Sequence, residues 1–145
     1  MKKKINVKLL RQVQQAIISE PKLYDQNDFM AAVDKDGYTT SLSNKDTCGT
    51  KCCIAGWAVK LSIPAGQLKR YIRGQYSTNN KAKKLLWLNH EQAAVLFDGV
   101  YDDWENEYFT SWPEKHATAY LKAKTPAGRA RAGFNMIEDF IKQNA

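Results

Sequence analysis

Near its start the chain shows an apolar stripe at spacings of three and four residues, which is typical of an amphipathic helix. The stripe consists of Leu9, Leu10, Val13, Ala16 and Ile17. It predicts a helix over residues 7–19 that Asn6 can cap. Glu20-Pro21 ends this helix, because the residue before a proline leaves the helical region.

A second apolar face predicts a helix over residues 50–62. The face consists of Cys53, Ile54, Trp57, Ala58 and Leu61. Gly56 lies among these residues, and a glycine in a helix interior costs about 1 kcal/mol relative to alanine. We therefore expect another helix to pack closely against Gly56, with this helix at the centre of the fold.

The remaining pattern predicts short elements joined by capped turns. Further helical segments are expected over residues 64–72, 78–87, 90–97 and 113–124 and from Thr125-Pro126 onward, with a short helix or turn over 26–33. Asn89 and Gln92 have the spacing of a capping box, and so do Ser111 and Glu114. The core stripe of the last helix is Ala130, Phe134, Ile137, Phe140 and Ile141.

These elements predict an all-α fold, a single-domain bundle of five or six short helices over residues 1–145. Residues 34–47 are polar and predict a loop, with a brief strand at 38–42. Hydrophobic residues make up 43% and charged residues 26% of the chain, which is ordinary globular composition. No apolar run approaches the ~18 residues of a membrane span, and no apolar segment follows the basic start, so we expect a cytoplasmic protein.

The chain carries a formal net charge of +7, and its cations are clustered. The clusters are Lys2, Lys3, Lys4, Lys8 and Arg11; Lys69, Arg70 and Arg73; Lys81, Lys83 and Lys84; and Lys122, Lys124, Arg129 and Arg131. A basic surface favours an anionic partner such as a nucleotide, a nucleic acid or an acidic protein, although a merely solvated surface explains it equally well. Trp87, Tyr71 and Tyr76 lie near two of the clusters, as in a nucleic-acid-binding face.

Residues 98–112 form an acidic and aromatic segment. Its rings are Tyr101, Trp104, Tyr108, Phe109 and Trp112. We expect an ordered loop whose rings pack on the core. The alternatives are ligand stacking, a cation held by Asp98, Asp102 and Asp103, and a partner protein that docks on residues 98–107.

All three cysteines fall between Cys48 and Cys53. An odd number of cysteines so close together does not match a secreted disulfide framework, so reduced thiols are expected. The spacing also lacks the paired cysteines of zinc sites, so neither a metal nor another cofactor is expected. His90 and His116 are predicted to face solvent rather than to take part in catalysis.

The loop before the 50–62 helix is the candidate binding site, because unpaired N–H groups and the positive end of the dipole attract anions at a helix start. The candidate ligand-binding residues are Cys48, Gly49, Thr50, Lys51, Lys69 and Arg70. Gly49 lets the backbone approach a ligand and Lys51 adds charge, while Lys69 or Arg70 can reach in if the next turn folds back.

Two other interpretations of the same loop stay open. In the first, Cys48 or Cys53 acts as an activated nucleophile, since a helix start stabilises a thiolate. Alternatively, Thr50 is a plain helix cap and the cysteines are small core residues.

Several motifs together resemble those of a family of small, uncharacterised bacterial and phage proteins with a Cys-Gly-Thr-x-x-Cys-Ile-Ala-Gly-Trp-Ala core. The matching residues are Cys48, Gly49, Thr50, Cys53, Ile54, Ala55, Gly56, Trp57 and Ala58, with further similarity over 86–97 and 124–141. The resemblance implies a phage or bacterial origin and a site that rests on Cys48 and Cys53, because Cys52 falls at a variable position. It implies no particular activity.

We therefore expect a non-enzymatic protein that binds or sequesters an anionic small molecule or nucleic acid and so disables a host component. A cysteine-dependent enzyme that uses Cys48 or Cys53 is the first alternative. An inhibitor that binds a host protein is the second. The oligomeric state is not predicted.

Overall fold

The computed structural model describes residues 4–28, 30–34, 47–74, 76–102 and 108–145, with backbone alone at 33, 34, 47–49, 108 and 109. The loop predicted over 34–47 and the strand predicted at 38–42 fall almost wholly outside the described residues.

The described chain is mostly helical, as predicted. Its seven α-helices are α1 (Val7–Ser19), α2 (Ile54–Ser62), α3 (Leu68–Ile72), α4 (Thr78–Leu85), α5 (His90–Leu96), α6 (Glu114–Lys122) and α7 (Pro126–Asn144). Short 3-10 helices lie at Pro21–Leu23 and Ala65–Gln67. The expected number of five or six helices is therefore slightly too low, even within the described residues.

Four short strands accompany the helices in the part of the chain that the structure describes. They are β1 (Ala31–Asp34), β2 (Thr47–Lys51), β3 (Tyr101–Asp102) and β4 (Tyr108–Phe109). β1 pairs antiparallel with β2, and β3 pairs antiparallel with β4. The predicted helix or turn over 26–33 is wrong in its second half, where β1 begins.

The predicted start of the central helix at residue 50 is also wrong. Thr50 and Lys51 belong to β2, where they lie opposite Ala32 and Ala31. The helix begins at Ile54, with Cys53 as its N-cap. The pairing with β1 supplies backbone partners from a distant part of the sequence, and this overrides the local helical pattern.

The side-chain caps expected from the sequence are present at three helix starts. The Asn6 side chain accepts a hydrogen bond from the Leu9 N–H, and Thr125 caps α7 in the same way. The capping box of Asn89 and Gln92 is fully formed at α5. The second predicted box, at Ser111, is absent, because α6 is capped at Pro113 and the Ser111 N–H donates to Asp98 Oδ2 at 2.6 Å.

The core lies where α1 packs against α7 and α2, while α4 covers α2 and α6 packs on α7. Trp57 is 3% exposed, which confirms its predicted central position, and its Nε1 donates to the Leu23 carbonyl at 3.1 Å. Leu61 was predicted on the same buried face but is 43% exposed, because the last turn of α2 reaches the surface.

Gln26 is a buried polar hub, only 2% exposed. Its Oε1 accepts hydrogen bonds from the Tyr24 hydroxyl at 3.1 Å and from the Ile54 N–H at 3.3 Å. Its Nε2 donates to the carbonyls of Leu96 at 3.2 Å and Asp98 at 2.9 Å. One side chain therefore joins the start of α2 to the end of α5.

The backbone on either side of Gln26 strengthens this junction. The Gln26 N–H donates to the Tyr120 hydroxyl oxygen at 3.0 Å, which brings in α6. The Cys53 N–H donates to the Asp28 carbonyl at 2.6 Å, and the Cys52 N–H donates to the Leu23 carbonyl at 2.9 Å. The segment after α1 is therefore hydrogen-bonded at several points to the residues that lead into α2.

We expect Gln26→Glu to destabilise the fold by about 3 kcal/mol or more at pH 7, because two amide donors become a buried carboxylate that faces two carbonyls. Burial favours the protonated acid, so the loss should be smaller at pH 4 than at pH 7. Urea unfolding at both pH values measures this, with Gln12→Glu on the exposed face of α1 as the matched control. Equal losses for the two variants would contradict the hub role.

Candidate functional site

The predicted anion-binding residues lie in a strand rather than at a helix start. In β2, Gly49 is opposite Val33, and Thr50 is opposite Ala32. Thr50 is 8% exposed, and its carbonyl accepts a hydrogen bond from Lys60 Nζ at 3.2 Å. Ligand binding at Cys48, Gly49, Thr50 and Lys51 stays a prediction, without the helix start that motivated it.

The N–H groups at the true helix start face protein atoms. The Ile54 N–H donates to Gln26 Oε1. The N–H groups of Gly56 and Ala55 lie against the Cys53 thiol, where they oppose a rise in its pKa. Since the start of α2 is buried and these donors have acceptors inside the protein, it is poorly suited to bind an external anion.

Two of the three cations assigned to that site make local contacts with other residues. Lys51 Nζ lies 3.8 Å from Asp25 Oδ2. Arg70 lies over the Tyr76 ring, with 5.8 Å between the guanidinium carbon and the ring centroid. Lys69 is exposed on α3.

Cys52 and Cys53 are both fully buried. Burial raises the pKa of the Cys52 thiol well above its usual value and that of the Cys53 thiol to about 12. A nucleophile has to be a thiolate, so this environment disfavours the enzymatic role considered for Cys53. The Cys48 side chain lies outside the described atoms.

The two histidines differ from each other. His90 is exposed, as predicted. The prediction for His116 is wrong: it is 6% exposed, and its Nε2 lies 2.7 Å from Asp139 Oδ2. Lys115 and His116 both bond to the Asp139 carboxylate and lower its pKa. This contact joins α6 to α7, so a structural role explains why His116 is buried.

The acidic and aromatic segment is split between core and surface. Trp112 is 4% exposed and packs edge-on to Tyr120, with 5.9 Å between the ring centroids. Tyr101 is 52% exposed, which contradicts the expected packing of its ring on the core. Residues 103–107, with most of the predicted acidic surface, lie outside the described residues.

A cleft of about 810 Å³ lies where the end of α4, the start of α5 and the end of α7 meet. Lys4, Lys83 and Lys84 contribute positive charge to its walls, and Glu91 is the one acidic side chain among its described lining residues. Trp87 also lines the cleft and is 45% exposed. The cleft thus combines a large aromatic surface with an excess of positive charge, and we call it the Trp87 cleft.

The backbone holds Trp87 in an unusual conformation. Its φ is +59°, the one positive φ of a non-glycine residue in the described chain. The Leu88 N–H donates to the Lys83 carbonyl at 3.0 Å, and the Trp87 N–H donates to the Lys84 carbonyl at 3.3 Å. These two bonds form a Schellman motif, in which the left-handed position is usually a glycine.

Two neighbouring signals could have revealed this turn. The capping box fixes Asn89 as the N-cap of α5, and Leu86 is the C-cap of α4, so Trp87 and Leu88 alone lie between the two caps. Such a short connection requires a left-handed residue. The sequence prediction instead extended the helix to residue 87.

A second aromatic pair, one ring exposed and the other partly buried, lies before α4. The rings of Tyr71 and Tyr76 have centroids 5.6 Å apart at an interplanar angle of 60°. Tyr76 is 50% exposed, and Arg70 lies over its ring. We call Tyr71, Tyr76 and Arg70 the Tyr76 cluster.

Comparison with family models, with curated proteins and with solved structures finds no significant match to this chain. The resemblance to bacterial and phage proteins accordingly stays a prediction. Across the described residues, no three His, Cys, Asp or Glu side chains are grouped as metal ligands. None of the described helices combines the length and apolarity needed to cross a membrane.

We expect both buried thiols to resist alkylation in the folded protein at pH 8, because they are inaccessible and protonated. In a Cys48→Ser variant, iodoacetamide followed by mass spectrometry should modify neither thiol before unfolding and both after it. Rapid modification of Cys52 or Cys53 in the native state would restore the nucleophile hypothesis.

Proposed function

We propose that this protein is a non-enzymatic binding protein whose Trp87 cleft takes a nucleotide-like ligand or a nucleic acid. The observation that carries the proposal is Trp87 itself, an exposed ring in a left-handed backbone conformation beside lysines. The proposal keeps the anionic partner expected from the sequence and moves the site from the Cys48–Lys51 strand to the Trp87 cleft.

The cost of the Trp87 conformation supports a functional role. A non-glycine residue in the left-handed region costs about 1–2 kcal/mol relative to an ordinary backbone conformation. A fully buried ring would offset this cost through packing, but Trp87 keeps 45% of its surface in water. Glycine would close the same turn without the cost, and the exposed part of the tryptophan adds nothing to packing.

The chemistry of the cleft fits a base joined to a phosphate. Aromatic rings stack on nucleobases with about 1–3 kcal/mol per base, without regard to base identity. Lysine ammonium groups pair with phosphate as point charges. Trp87 and its neighbours Lys83 and Lys84 supply both contacts within five consecutive residues.

The charge distribution points to the same part of the chain. Between Asp46 and Glu91 the sequence contains no acidic residue. The cations of this interval are Lys51, Lys60, Lys69, Arg70, Arg73, Lys81, Lys83 and Lys84. A positive electrostatic potential raises the local concentration of an anionic ligand and speeds its association.

We expect Trp87→Gly to weaken binding of adenosine monophosphate and of short oligonucleotides about 5- to 100-fold, because the stacking surface is lost. The same change should alter stability by no more than about 1 kcal/mol, because relief of the backbone strain offsets the packing lost from the buried part of the ring. Calorimetric titration and urea unfolding measure the two effects. Tyr101→Ala, at an exposed ring that does not line the cleft, is the control. Full binding by a folded Trp87→Gly protein would refute the proposal.

Salt dependence provides an independent test of the lysines. Lys83→Gln and Lys84→Gln should each weaken oligonucleotide binding and reduce the slope of log K against log salt concentration by about 1. Lys22→Gln and Lys124→Gln, at exposed lysines away from the cleft lining, should leave the slope unchanged. Equal slopes in all four variants would show that the cleft lysines do not contact phosphate.

A further inference from the structure

The Tyr76 cluster and the Trp87 cleft lie at opposite ends of the same helix. Tyr76 comes two residues before α4 begins at Thr78, and Trp87 comes two residues after it ends at Leu85. The helix has 8 residues, so it is about 12 Å long. Stacked bases are spaced by about 3.4 Å along a strand, so this length corresponds to about four nucleotides.

Backbone hydrogen bonds fix the chain at both aromatic residues. Gly74 has a φ of +73° and its N–H donates to the Tyr71 carbonyl at 3.1 Å, which ends α3. The Tyr76 N–H then donates to the Arg70 carbonyl at 3.3 Å. These bonds place the Tyr76 ring beside Tyr71 with half of its surface exposed.

The helix between the rings has one face for the core and one for solvent. Thr78 and Ala82 are buried against the rest of the protein. Asn80 and Lys84 are exposed four residues apart, so they lie on the same side of the helix. Lys81 and Lys83 are partly exposed beside them, which gives the solvent side of α4 three cations.

We infer that the ligand of this protein is a single-stranded nucleic acid of about four to six nucleotides, which runs along α4 and stacks bases on both Trp87 and Tyr76. The inference rests on the function proposed for the Trp87 cleft and extends it to a second stacking position. A mononucleotide would occupy only the first position. A duplex would hide the faces of its bases from both rings, so single strands are the form that fits.

The cations fit a backbone path between the two rings. Arg70 and Arg73 lie at the Tyr76 end, Lys81 lies along the helix, and Lys83 and Lys84 lie at the Trp87 end. No acidic residue interrupts this part of the sequence. Phosphates of an extended strand would therefore meet positive charge along the whole length of α4.

The test compares a mononucleotide with labelled oligo-dT and oligo-U of increasing length, by calorimetry and fluorescence anisotropy. Affinity should rise with length up to about six nucleotides and then level off. Tyr76→Ala should weaken hexamer binding about 5- to 50-fold and leave mononucleotide affinity within about twofold. Trp87→Gly should weaken binding of both ligands.

Each failure has a separate meaning. If the mononucleotide binds at Trp87 but Tyr76→Ala leaves hexamer affinity unchanged, the second stacking position is wrong and the proposed function stands. If neither ligand binds, both proposals fail. Duplex DNA that binds as tightly as the single strand would overturn the inference. Arg70→Gln keeps the tyrosine ring and should also weaken hexamer binding selectively, so the test does not depend on one variant, and Tyr101→Ala is the neutral control.

Discussion

The arrangement of this protein depends on the buried amide of Gln26. Gln26 joins the segment after α1 to α2, α5 and α6, whose relative positions apolar packing alone leaves weakly specified. The Gln26 amide accepts from the start of α2 and donates to the carbonyls that follow α5, and the Tyr120 hydroxyl ties in α6. A shift of any of these partners would leave a buried polar group unpaired, at a cost of about 1–3 kcal/mol each.

The same buried hydrogen bonds explain why the start of α2 is closed to ligands. The segment after α1 uses its own carbonyls for the N–H groups of Cys52 and Cys53. Burial of the same junction keeps both thiols protonated, with the pKa of Cys53 raised to about 12. The sequence motif that is rich in cysteine and glycine therefore serves the internal architecture, while the exposed aromatic and basic side chains lie at the two ends of α4, the helix that packs on α2.

Local signals in the sequence were sufficient for most helices and insufficient for the strands. The caps at Asn6, Asn89 and Thr125 involve residues only three positions apart, so they can be recognised without the fold. The pairing of β1 with β2 joins residues that are distant in the sequence, such as Ala32 and Thr50, and nothing local distinguishes Thr50 in a strand from Thr50 as a helix cap. His116 was misjudged for the same reason, since its partner Asp139 belongs to another helix.

The Trp87 cleft could be predicted only in part. Clustered lysines near an aromatic residue are visible in the sequence, but the exposure of the ring follows from the turn between α4 and α5. That turn has a consequence for recognition. Backbone hydrogen bonds fix the position of the Trp87 Cα on both sides, so the ring keeps only two side-chain torsions to lose when a partner arrives. The surface is preorganised, and little of the interaction energy is consumed in ordering it.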